Sequence, residues 1–137
     1  MGLYVLIDAY KKSWIKQVFP EDKEVRNFYQ CSVNNSNFSE NNLKLCINAN
    51  EEYEGEMESL EEFITAINTA KTREDVEDIM DVDEFARVWI FEWLVGTWDS
   101  SLLAGKNYYL YKKVEGKWLI LPYDFDTTFG YRLPGYL

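Results

Sequence analysis

Histidine is absent from the 137 residues. That gap excludes Ser-His-Asp and Cys-His catalysis and every imidazole-dependent zinc site, leaving carboxylates, Lys, Tyr or Cys for proton work. Basic residues are scarce as well: 14 Lys and Arg stand against 24 Asp and Glu, a formal net charge of −10. Nucleic acid and anionic membrane both require a basic footprint, so neither is expected as a partner. A basic protein or bound cations fit better. No apolar run reaches membrane-spanning length, and Met1-Gly2-Leu3 leads straight into a strand-like run with no signal peptide read there. Only two cysteines occur, Cys31 and Cys46, both in strand-like segments. One disulfide in a secreted protein and two buried thiols in an intracellular one are both open readings.

What is present is apolar and aromatic. Hydrophobic residues make up 47% and aromatics 17%, enough for one folded domain with one sizeable core. Leu3 to Ile7 reads as a buried strand, and Ala9 to Phe19 as a helix stopped by Pro20. Val25 to Cys31 and Leu43 to Ile47 alternate as strands do. The polar stretch between them holds two glycosylation acceptor triplets, Asn34-Asn35-Ser36 and Asn37-Phe38-Ser39. Seven of the twelve residues from Glu51 to Glu62 are Glu, a solvated run leading into a helix with Leu60, Phe63, Ile64 and Ile67 inward. Thr72-Arg73-Glu74-Asp75 resembles a capping box with Asp in place of Glu. Asp83 is expected to cap the next helix, whose apolar residues Phe85, Trp89, Ile90, Trp93 and Leu94 predict burial around much of its circumference.

The chain is organised around Trp98 to Gly130. A polar loop opens at Asp99 and closes at Asn107, and a strand runs from Tyr108 to Val114. The turn Glu115-Gly116-Lys117 leads to a second strand, Trp118 to Tyr123, ending on alternate carboxylates, Asp124 and Asp126. Carboxylates at strand ends with an amide nearby suit a hard divalent cation, since Mg²⁺ takes one or two carboxylates plus phosphate oxygens. The same residue types also end strands through their own hydrogen bonds. An EF-hand is excluded, because Phe129 stands where that loop needs Gly and Gly135 where it needs Glu. Asp99 and Asp124 with Trp98, Trp118 or Tyr123 also admit a weaker glycosidase reading, the aromatics stacking on sugar.

These motifs resemble the spore coat protein H (CotH) kinase family. The resemblance rests on the aromatic-rich helix, then Gly96-Thr97-Trp98-Asp99, Lys106-Asn107-Tyr108-Tyr109-Leu110-Tyr111, Leu121-Pro122-Tyr123-Asp124-Phe125-Asp126 and Phe129-Gly130, in that order. Weaker similarity extends to Gly2-Leu3-Tyr4. It implies an α+β chain with a partial atypical protein-kinase-like fold, mainly C-terminal-lobe helices and a hairpin bearing the catalytic loop and the Asp-Phe-Asp motif. It implies Mg²⁺ and ATP as cofactors, with phosphoryl transfer to hydroxyls of a basic or Ser-rich protein at a spore or cell surface. Carried over by resemblance, Asp99 orients the acceptor hydroxyl and Asn107, Asp124 and Asp126 are metal ligands. The Leu3–Ile7 strand then resembles the hinge that contacts adenine.

Two departures stand out. Asp99 to Asn107 spans eight positions, against about five in the ordinary kinase loop. No candidate exists for the glycine-rich phosphate loop, the phosphate-pairing Lys or its Glu partner. The expectation is therefore one partial domain over residues 1–137, lacking the N-lobe and the C-terminal remainder. That fragment would be inactive alone and prone to self-association through its N-terminal strand. The alternative is a catalytically silent surface interaction module.

Overall fold

The computed structural model describes residues 9–131. The Leu3–Ile7 strand, its hinge-like role, its part in self-association and the Pro134-Gly135 turn lie outside them. Four helices and four strands follow in the order α1 (Lys12–Val18), β1 (Phe28–Cys31), β2 (Cys46–Asn48), α2 (Glu58–Thr69), α3 (Arg73–Ile79), α4 (Val82–Leu94), β3 (Tyr108–Lys112) and β4 (Trp118–Pro122). The chain is α+β.

One antiparallel sheet, ordered β2-β1-β3-β4, carries the structure. Its strands are apolar on both faces because both are covered. Tyr29, Cys31, Tyr108, Leu110, Trp118 and Ile120 pack with Leu60, Phe63 and Ile64 of α2 and Phe85 of α4. On the reverse, Phe28, Tyr111 and Leu119 close over Ile15 of α1 and Val25. At about 1.5–3 kcal/mol for each large apolar side chain fully buried, the first face supplies most of the stabilisation. The outer side of β4 meets Met80, and the Asp81 N–H donates to the Trp118 carbonyl at 2.9 Å.

Cys31 sits directly opposite Cys46 in the register, and the two form a disulfide with a Cα separation of 4.3 Å. That settles the pairing of the two cysteines. The strand expected over Leu43–Ile47 is shorter: residues Glu40–Leu45 wind into a 3₁₀ turn and only Cys46–Asn48 pair with β1. Helix α1 likewise starts at Lys12 rather than at Ala9. The Glu-rich run is exposed, with ion pairs from Lys12 to Glu52 and from Arg26 to Glu56 (3.0 Å).

Helix starts follow local capping chemistry. Thr72 Oγ1 accepts from the Asp75 N–H while Asp75 accepts from the Thr72 N–H, a complete capping box on α3. The cap of α4 is Asp81, whose carboxylate accepts from the Glu84 N–H at 3.3 Å; Asp83 lies within the first turn. A larger correction concerns the facing of α4. Phe85 is buried, but Ile90, Phe91, Trp93 and Leu94 are exposed, Trp93 by 70%. The helix rests on the sheet by the single stripe Phe85, Val88, Trp89 and Glu92, which is the i, i+3, i+4, i+7 spacing of one face. Thirteen residues on one sheet layer leave the other apolar side chains off the sheet, Phe91 meeting instead the Phe125 ring edge-on with the ring centroids 5.3 Å apart.

Candidate functional site

The β3–β4 hairpin brings the site together. Its two strands pair from Tyr108 opposite Pro122 to Lys112 opposite Trp118, and the turn closes through Gly116 N–H to the Lys113 carbonyl at 2.9 Å. At the open end the Tyr123 N–H donates to the Asn107 carbonyl at 2.9 Å. That bond sets Asn107, the last residue of the polar loop, beside the chain that continues into Asp124. Both Asn107 (φ +61°) and Asp124 (φ +63°) take the left-handed backbone conformation. Asn and Asp tolerate it better than other side chains, and each turns the chain sharply at a strand end.

Asn107 is buried and its Nδ2 donates to Asp99 twice, to the backbone carbonyl at 2.8 Å and to Oδ2 at 3.4 Å. The other carboxylate oxygen of Asp99, Oδ1, is buried with the Lys106 ammonium 2.7 Å away, yet makes no aligned hydrogen bond. The contact is a charge pairing rather than a directed hydrogen bond. The pair is well shielded, Lys106 being 22% and Asp99 14% exposed at the side chain. Asp124 and Asp126 lie at the surface. The Asp124 carboxyl is held above the usual aspartate range, first by desolvation, then by the charges of Asp126 and Asp99 and by sharing a proton with Asp126, with Lys106 opposing. Asp99 and Asn107 are therefore joined directly inside, and Asp124 and Asp126 lie outside within the influence of the Asp99 charge.

The remaining chain ties this network to α4. Residues 127–130 fold back on the helix end: the Phe129 N–H donates to the Val95 carbonyl at 2.6 Å, and the Thr97 and Thr127 hydroxyls lie 3.5 Å apart. Gly96, at φ +63°, ends α4 against Gly130. Two residues that sequence reasoning passed over belong here. Lys106 is the cation of Asp99, and its signal was adjacency to Asn107. Glu92 is a buried carboxylate on the inner stripe of α4, and its signal was a lone acid amid Trp, Ile, Phe and Leu. Its charge, after burial itself, raises the Tyr108 hydroxyl pKa, and that hydroxyl donates to the Ser36 carbonyl. Trp118 is buried in the core, which removes it as a sugar-stacking surface and weakens the glycosidase reading.

A family model described as CotH kinase protein matches residues 1–133. The chain belongs to the CotH kinase family. No curated protein and no solved structure matches it. The aspartate loop, the hairpin and the Asp-Phe-Asp segment of this CotH chain fall entirely within the matched residues. Among the described residues no three acidic or thiol side chains are grouped closely enough to form a ready metal cluster, and no helix is long and apolar enough to cross a membrane.

Proposed function

We propose that this CotH chain carries the phosphate-handling part of a protein kinase that uses Mg²⁺ and ATP to phosphorylate protein hydroxyls. The observation that supports it most directly is the Tyr123–Asn107 backbone bond, which sets the Asp99–Asn107 pair against Asp124. In that arrangement Asp99 accepts and orients the acceptor hydroxyl, held in place by Asn107 and balanced by Lys106. Asp124, Asp126 and the Asn107 side-chain oxygen are the metal-binding group. The donor set suits a hard cation: oxygen ligands alone, with two carboxylates, the Asp124 pKa being raised first by desolvation and then by the charge of Asp126. Magnesium bound there neutralises charge on the phosphate oxygens. Lacking a ready three-carboxylate cluster is compatible with this, because Mg²⁺ draws most of its shell from water and phosphate.

The net charge of −10 and the exposed Glu-rich segment favour a basic or Ser-rich protein as acceptor. A disulfide between β1 and β2 favours a secreted or spore- or cell-surface location. The test is phosphate transfer from labelled ATP to a basic, Ser-rich protein, with Asp99→Asn and Asp124→Asn as variants. Loss of transfer in both folded variants is expected. Unchanged transfer in either variant removes the role assigned to that residue. A second reading, a catalytically silent surface module, draws on the exposed Ile90, Phe91, Trp93 and Leu94 of α4. Absence of both Mg²⁺-dependent ATP binding and transfer would favour it.

A further inference from the structure

We propose that Glu92 is the positioning residue of the Asp99 loop, the group that lets an unusually long loop return Asn107 to Asp99. Glu92 is 1% exposed and makes no ion pair among the described residues. Its carboxylate instead accepts from the Ser101 N–H at 3.3 Å, from the Ser101 hydroxyl at 2.9 Å on each oxygen, and from the Leu102 N–H at 2.9 Å. Its backbone carbonyl accepts from the Thr97 N–H at 3.2 Å. One residue thus grips the loop on both sides of Asp99, through main chain before it and side chain after it.

A lone buried carboxylate is costly, and an apolar residue on the inner stripe of α4 would pack against the sheet without that cost. The geometry points to what the carboxylate does in exchange. Its two N–H bonds fix the start of the turn over residues 101–105. That turn is closed by the Ala104 and Lys106 N–H groups on the Ser100 carbonyl, at 3.0 and 3.3 Å. Lys106 and Asn107 therefore emerge facing Asp99. Extended, a run of eight residues would carry Asn107 roughly 25 Å from Asp99. The turn on Glu92 absorbs the surplus and returns Asn107 to Asp99. The catalytic consequence rests on the kinase reading above, whereas the geometric one does not.

The test uses Glu92→Gln, Glu92→Leu and Ser101→Ala in the whole chain. Hydrogen exchange is followed by NMR at the Lys106 amide and at the Asn107 side-chain amide, neither of which touches Glu92. Melting curves give stability separately. If Glu92 positions the loop, both Glu92 variants lose at least tenfold protection at Lys106 and Asn107 while staying folded. Ser101→Ala, which keeps the carboxylate and both N–H bonds, loses less. In phosphate transfer the Glu92 variants drop in kcat by about 10- to 100-fold with KM for ATP little changed, the pattern of misplaced groups. Unchanged protection at Lys106 and Asn107 in a folded Glu92→Gln or Glu92→Leu protein overturns the proposal. Should both Glu92 variants fail to fold, full protection in folded Ser101→Ala overturns it and partial loss supports it. A wild-type chain without transfer overturns the kinase reading only, since the exchange measurement needs no nucleotide.

Discussion

Reducing the Cys31–Cys46 disulfide should cost this protein a substantial part of its stability without unmaking the sheet. The bond closes a loop with a sequence separation of 15. For a loop of about 15 residues the chain-entropy argument gives about 3 kcal/mol, acting on the unfolded chain rather than on any native contact. The native loop is held independently. The Asn35 N–H donates to the Ala104 carbonyl at 2.9 Å, the Tyr108 hydroxyl donates to the Ser36 carbonyl, and Asn68 Nδ2 donates to the Phe38 carbonyl at 2.7 Å. These bonds persist after reduction, so the folded form survives while the unfolded one gains freedom. For a chain of this size 3 kcal/mol corresponds to roughly 10 °C in melting temperature. The assay is thermal and urea unfolding with and without a thiol-free reductant, with Cys31→Ala/Cys46→Ala as the permanent version. Because Asn35 and Ala104 adjoin the loop that carries Lys106, amide exchange at Ala104 should rise on reduction, and that at buried Leu110 in β3, which opens only with the whole fold, should rise by the global loss of stability. A loss below about 1 kcal/mol, with m-values unchanged, would refute the entropic reasoning.

Three further outcomes are expected. Asp124→Asn should stabilise the metal-free protein by a few tenths of a kcal/mol at neutral pH, because Asn accepts the left-handed backbone and removes a carboxylate opposed by Asp126 and Asp99. Since the folded pKa is raised, the native carboxyl favours folding at low pH and this is lost as pH rises through that pKa. The gain should therefore vanish below the ordinary aspartate range, and urea midpoints at pH 3 and 7 check it. Gly105→Ala should destabilise by about 1–2 kcal/mol, since φ is +61° and the added Cβ would stand 3.4 Å from the Asn35 Cα; equal urea midpoints would contradict this. Thr72→Ala should cost about 1 kcal/mol by removing the α3 cap. The Asp75 carboxyl is lowered by the Lys71 and Thr72 N–H groups, so its contribution is present above the ordinary pKa of 3.8 and lost as pH falls through the depressed value. Helicity of α3 measured down to about pH 2 tests that sign.

What could be read from the sequence was what neighbouring residues decide among themselves. The hairpin was legible because the aromatic and aliphatic runs at residues 108–111 and 118–121 lie on either side of Glu115-Gly116-Lys117, and the capping box because Thr72 and Asp75 reach one another within a turn. Asp99, Asn107, Asp124 and Asp126 were named from order and residue type; in the structure Asn107 bonds to Asp99, and Asp124 feels the charges of Asp126 and Asp99. The facing of α4 was not legible: its apolar residues outnumber what one sheet layer covers, and only the position of that sheet selects Phe85, Val88, Trp89 and Glu92 as the inner stripe. The disulfide stayed open because opposition of Cys31 and Cys46 depends on how β1 and β2 register. Lys106 and Glu92 were passed over for a related reason. Each acquires meaning from a partner across a turn, and a charged residue viewed singly reads as solvated surface.

The order of the strands governs how this protein is made as well as how it is held. In the sheet β1 lies between β2 and β3, and Cys31 stands opposite Tyr108. As the polypeptide emerges during synthesis, β1 and β2 can pair at once, closing only a short loop. The other margin of β1 then waits until about 60 more residues have been added, and closing the loop of nearly 80 residues from Cys31 to Tyr108 costs about 4 kcal/mol in chain entropy. Through that interval Tyr29 and Cys31 present an unpaired, apolar strand margin, the kind that recruits other chains. The last strands of the described sheet to arrive, β3 with β4, shield that margin and in the same movement bring Asn107 and Asp124 to their places. Completion of the site and the end of the period of greatest aggregation risk are thus one event in the life of each nascent molecule.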